Sequence, residues 1–141
     1  MKTLFPGLRV ADLDASIAFY ESLGHRVFGT IDIGGGARLA GLGDPDGAEV
    51  VLELVHRPDG GPIAADAVDH LAVQVDDIEA TVARLTSAGL SPGPVETPGG
   101  PDGPRTAWIV DPDGYRIELV QWPTGHGPAM TAADFPPPEE A

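Results

Sequence analysis

Apolar and polar positions along this chain follow two rhythms that switch in the same order twice. Within Val68–Val75, Leu71, Val73 and Val75 point one way and His70, Ala72 and Gln74 the other, the alternation of a strand. Thr3–Val10 is expected to form the matching strand of an earlier copy. After each strand the period lengthens: Leu13, Ile17 and Tyr20, then Ile78, Val82 and Leu85, recur at i, i+4 and i+7, the spacing of one helix face. Asp12 and Asp77 stand where N-caps are needed, and Gly24 and Gly89 where a left-handed stop is. The first copy continues with strands expected near His25–Asp32, Ala37–Gly41 and Glu49–His56. In the second, Thr106–Val110 and Tyr115–Gln121 are clear, whereas residues 91–104 carry five prolines and four glycines and read mainly as loop.

The two rhythms are copies at an offset of 65 residues, the interval from Glu53 to Glu118. Val10–Ala18 falls on Val75–Ala83, Ser22-Leu23-Gly24 on Ser87-Ala88-Gly89, and Leu52-Glu53-Leu54-Val55 on Ile117-Glu118-Leu119-Val120. Phe5 falls on His70. The tetrapeptide Asp-Pro-Asp-Gly occurs at 44–47 and 111–114, so this turn has drifted by two residues between fixed strands, ordinary behaviour for a loop. An α+β fold follows: two tandem βαβββ modules forming a curved mixed sheet around a cavity. One domain is expected over residues 1–122, with module one at 1–56, a Pro/Gly linker at 57–66 and module two at 67–122. Residues 123–141 form an irregular, Pro-rich acidic tail, with Trp122, Met130 and Phe135 as residues that can dock on the body.

Composition narrows the chemistry. The 141 residues contain no cysteine, which excludes disulfides and thiolate metal sites. No apolar run has the ~20-residue length of a membrane span, so a cytoplasmic protein without a membrane partner is expected. Twenty-two acidic against eight basic residues give a formal charge of −14, a field that repels phosphate backbones and argues against nucleic acid. The acidity suits solubility, and also the attraction of a cationic small molecule.

On the last strand of each copy, Glu53 and Glu118 face away from Leu52, Leu54, Ile117 and Leu119. If those apolar residues meet the helices, both carboxylates enter the concave side. Close carboxylates repel and need a cation, a shared proton, an arginine or water. His70 faces the same side, so Glu53, His70 and Glu118 are candidate ligands for Zn, Ni, Co, Mn or Fe. Such an ion would polarise a carbonyl while Glu53 or Glu118 carries a proton as the catalytic group. The alternatives are plainer. Phe5, Trp108 and Trp122 fill core, Arg9 pairs with Glu53 or Glu118 and neutralises the pocket without metal, and His25, His56 and His126 lie at the surface.

The segment Gly7–Leu13 leading to Phe19-Tyr20 and Leu23-Gly24, the strand Asp69–Val73, and Asp111-Pro112-Asp113-Gly114-Tyr115-Arg116-Ile117-Glu118-Leu119 resemble the vicinal oxygen chelate superfamily. That group includes glyoxalase I, extradiol dioxygenases and bleomycin resistance proteins, and the spacing here is most similar to bacterial glyoxalase I. The resemblance implies four ligand positions at Phe5, Glu53, His70 and Glu118. Phenylalanine cannot coordinate, so the cofactor is a divalent metal on three ligands, or none. It also implies a homodimer, in some relatives with the cavity shared between chains, and a small-molecule substrate touched by Arg9, which matches a glutathione-binding arginine. The asparagine that glyoxalase carries after its first glutamate is replaced by Val55-His56-Arg57. Two functions are therefore expected: a metal-dependent lyase, isomerase or dioxygenase acting on a small carbonyl or diol compound, or a metal-free antibiotic-binding protein using Phe5 and Trp108 as stacking surfaces.

Overall fold

The computed structural model of the chain describes residues 1–137 and 139. Module one contributes β1 (Gly7–Arg9), α1 (Leu13–Leu23), β2 (Arg26–Gly34), β3 (Ala37–Gly43) and β4 (Leu52–His56). Module two contributes β5 (Leu71–Gln74), α2 (Ile78–Ser87), β6 (Arg105–Val110) and β7 (Arg116–Gln121). The strands form two mixed sheets, one of four strands in the order β1-β4-β3-β2 and one of three in the order β5-β7-β6.

The internal repeat is exact at the ladder. Gly7 pairs with Glu53 in the parallel contact of β1 and β4, and Ala72 pairs with Glu118 in the parallel contact of β5 and β7, the same pair 65 residues on. Leu52 and Leu54, like Ile117 and Leu119, are buried in one apolar cluster with Phe19 and Tyr20 of α1 and Ile78 and Leu85 of α2. The alternation of a strand therefore sends Glu53 and Glu118 to the opposite faces, as their spacing requires.

Both helices start as expected: the Asp12 carboxylate accepts from the Ala15 N–H and the Asp77 carboxylate from the Ala80 N–H. Gly24 caps α1 in the left-handed region at φ 105°, while α2 closes on Ala88 and its left-handed glycine, Gly89, comes one residue later. The first strand is shorter than the alternation predicts. Phe5 and His70 both precede the ladder residues of their strands.

The second module has no counterpart of β2. Prolines at 92, 94, 98, 101 and 104 remove the N–H groups that a ladder needs, and only Glu96 bridges to Thr106 on β6. The modules are tied through the second Asp-Pro-Asp-Gly turn. Asp113 accepts from the Ala11 N–H and the Ser16 hydroxyl, Tyr20 donates to Asp111 at 2.8 Å, and the Tyr115 hydroxyl donates to the Arg9 carbonyl at 2.8 Å. No described helix is long and apolar enough to cross a membrane.

Met130 and Phe135 are both 58% exposed, so neither docks. Trp122 instead stacks on His126, with ring centroids 4.4 Å apart and planes 12° from parallel. His126 is half-buried, and both its ring nitrogens meet acceptors: Nδ1 the Gly127 carbonyl at 2.6 Å and Nε2 the Asp134 carboxylate at 2.7 Å. Only the imidazolium donates to both. The Gly127 carbonyl, and then Asp134, raise the His126 pKa above its ordinary 6.5; Asp134 is lowered, chiefly by the Thr131 N–H and then by His126. A raised histidine adds stability below its ordinary value and loses it as pH rises through the raised one. Trp122 fluorescence is accordingly expected to titrate at a pH above 6.5, reporting release of the clasp, and a His126→Ala variant is expected to lose that transition. A pH-independent Trp122 signal in the unaltered chain would contradict the clasp.

Candidate functional site

His70 and Glu118 meet on the outward face of the second sheet. His70 stands one residue before β5, and its Nε2 lies 3.4 Å from Glu118 Oε2. Its Nδ1 lies 2.6 Å from the Asp69 carboxylate. An ionised carboxylate only accepts, so Nδ1 carries a proton there. The bond to His70 is also the main reason that the Asp69 pKa falls below its ordinary value. With Nδ1 protonated, a neutral ring turns the Nε2 lone pair toward Glu118, and two electron-rich atoms then face each other. A cation at Nε2, whether proton or metal ion, turns that repulsion into attraction.

An aromatic wall borders the pair. Trp108 is the ladder partner of Glu118 across β6 and β7, and opposed residues share a face. The indole meets the His70 ring edge-on at 5.4 Å between centroids, and the Arg116 guanidinium lies 4.2 Å from the Trp108 ring, a cation–π contact. Trp108 is thus half-exposed beside the candidate ligands, not core packing.

Glu53 has a different setting. Its ladder partners are Gly7 on β1 and Gly41 on β3, so no side chain flanks it on either neighbouring strand. It does not join His70 and Glu118 within one chain: among the described residues no three His, Asp or Glu side chains gather closely enough to hold one metal ion. Phe5 is half-buried next to β1 and offers no donor.

Arg9 corrects an expectation. Its guanidinium donates to the carbonyls of Gly61 and Pro62 at 2.6 and 2.7 Å, which ties β1 to the linker, and it pairs with neither Glu53 nor Glu118. The linker carbonyls supply local acceptors without the desolvation cost of an ion pair. His25 and His56 are half-buried, not at the surface. Their Nδ1 atoms lie 3.3 and 3.2 Å from the Tyr20 and Val10 carbonyls, and burial lowers the His25 pKa. Neither of two clefts in the molecule is lined by Glu53, His70 or Glu118. One, of about 960 Å³, lies between Val51, Leu71, Val73 and the Asp44–Asp46 turn; the other, of about 410 Å³, borders Arg9, His56 and Arg57. The His70 and Glu118 side chains are 36% and 22% exposed. Sequence reasoning also missed Asp69, although an acidic residue directly before a candidate histidine ligand was the available signal.

With the paired modules and this face in place, the chain belongs to the Glyoxalase/Bleomycin resistance protein/Dioxygenase superfamily, which it matches over residues 4–119. It is 39% identical over 132 residues to a lactoylglutathione lyase of Haemophilus influenzae, covering 86% of this chain and 93% of that one. Among solved structures it is similar to the trypanothione-dependent glyoxalase I of Leishmania major, at 33% identity and a TM-score of 0.66 over 86% of each chain. It is also similar to a bleomycin-binding protein solved with bleomycin, at 25% identity and a TM-score of 0.60, covering 86% of this chain and 98% of that one.

Proposed function

We propose that the protein is a glyoxalase-like metalloenzyme acting on a small carbonyl or diol compound. The reading is carried by the His70–Glu118 pair, 3.4 Å apart on a sheet face, whose charges and lone pairs suit a shared cation. His70 and Glu118 would hold a divalent ion together with Glu53. The expected fourth position, Phe5, is left to water or substrate. Since Glu53 does not join the pair within one chain, a second copy supplies it, and the working unit is a homodimer. A divalent ion bound there supplies Lewis-acid polarisation of a substrate oxygen. The chain itself provides the proton carrier, Glu53 or Glu118, and Trp108 with Arg116 forms the wall against which a substrate packs. The lactoylglutathione lyase relatives support the lyase or isomerase class.

Phe5 favours a second reading, a metal-free binding protein in which Phe5 and Trp108 stack on an aromatic ligand. The bleomycin-binding relative supports it. The two separate on one measurement. Protein purified without chelator or nickel resin is expected to bind Zn, Ni, Co, Mn or Fe stoichiometrically by metal analysis and calorimetry, and a Phe5→His variant to bind it more tightly. Absence of binding in both proteins, with none of the five metals eliciting activity, would favour the binding-protein reading.

A further inference from the structure

We propose that Asp69 is a positioning residue that holds His70 in the tautomer with the proton on Nδ1, leaving Nε2 free on the Glu118 side. Asp69 and His70 both precede Leu71, the first residue of the β5 ladder. The strict alternation that would send adjacent side chains to opposite faces does not apply there, and the carboxylate reaches the ring at 2.6 Å. Asp69 is 86% exposed, so water is freely available to it and the pairing adds little stability. Its consequence lies in the ring. Nδ1 is occupied by Asp69, the ring meets the edge of Trp108 on another side, and Nε2 is turned toward Glu118. Remove Asp69, and nothing holds the proton on Nδ1: it moves to Nε2, which donates to Glu118, and the nitrogen that a metal ion needs is blocked. An outer carboxylate of this kind both orients an imidazole and raises its basicity.

The tautomer can be read without any metal, while the value of that tautomer to an ion rests on the proposed function above. Both are measured on the full chain. Imidazole ¹⁵N shifts would be recorded metal-free through a pH series and read on the high-pH plateau where they stop changing, for the unaltered chain, Asp69→Ala and Asp69→Asn. The expected result is Nδ1–H in the unaltered chain, which an acceptor-only carboxylate enforces, and Nε2–H in both Asp69→Ala and Asp69→Asn, whose amide N–H can donate to Nδ1 while Nε2–H donates to Glu118. Cobalt affinity, followed by visible absorption and calorimetry, is expected to fall about 10- to 100-fold in Asp69→Ala, with melting unchanged. The same tautomer shift with no cobalt bound by any of the three would uphold Asp69 and sink the metal reading alone. An unchanged tautomer in Asp69→Ala, or Nε2–H in the unaltered chain, would overturn the role of Asp69 even if cobalt bound.

Discussion

A His70→Ala variant is expected to lose at least about a hundredfold in affinity for a divalent ion, because deleting a ligand costs more than the roughly 10–100-fold that deleting an outer partner costs. The imidazole is the only nitrogen donor in the proposed set; without it two carboxylates remain, Glu118 and the Glu53 that a second copy supplies, and they hold a cation more weakly than with the imidazole. Folding should be untouched. His70 lies outside the ladder and its side chain is 36% exposed, so substitution falls in the range of about ±0.5 kcal/mol typical of surface positions. Cobalt absorption and calorimetry, paired with a thermal melt, separate the two effects. Equal ion affinity in the variant and the unaltered chain would remove His70 from any metal role.

Asp111→Ala is expected to destabilise the fold by roughly 3 kcal/mol, since each buried polar group left without a partner costs about 1–3 kcal/mol. Asp111 is only 5% exposed. One carboxylate oxygen accepts from the Asp113 and Tyr115 N–H groups at 2.9 Å each, and the other from the Tyr20 hydroxyl at 2.8 Å. Tyr20 is fully buried, so its hydroxyl has no water to turn to. Desolvation raises the Tyr20 pKa well beyond its ordinary value, with Asp111 adding to the shift, and the hydroxyl stays a donor. The repeat provides the control. Asp44 opens the same tetrapeptide in module one but is exposed, and Asp44→Ala is expected to change stability by no more than about 0.5 kcal/mol. The Asp111 pKa is raised, principally by burial, so the protonation-linked increment of stability, fully present below its ordinary 3.8, is lost as pH rises through the raised value, and what Asp111→Ala removes at neutral pH is the set of hydrogen bonds. Urea unfolding of both variants at neutral pH measures the contrast. Equal losses at Asp44 and Asp111 would mean that the turn does not join the modules.

Much of this fold was legible because duplication supplies an internal comparison. Leu52, Leu54, Ile117 and Leu119 mark the buried face by period alone, and the two aspartate caps mark the helix starts. The proline-rich segment at 91–104 announces its own lack of a ladder. Other features depend on contacts that no pattern encodes. Nothing in the alternation around Arg9 indicates that its guanidinium ends on the linker carbonyls, because a long side chain chooses among acceptors far away in sequence. His126 carries no periodic signal either; its clasp comes from a ring, a backbone carbonyl and a carboxylate brought together by local turns. The candidate site is intermediate. The faces of Glu53 and Glu118 follow from alternation and His70 joins Glu118, but separation of Glu53 from them depends on how the modules sit, which spacing along one chain does not determine.

The matched pairs Gly7–Glu53 and Ala72–Glu118 also govern which indels the chain can absorb. The Asp-Pro-Asp-Gly corner has shifted by two positions between the halves while both carboxylates kept their orientation. A single codon inserted upstream of Glu118 within Arg116–Gln121 is another matter: with a side-chain period of two it would swing the acid into the aliphatic interior and bring a leucine or isoleucine out in its place.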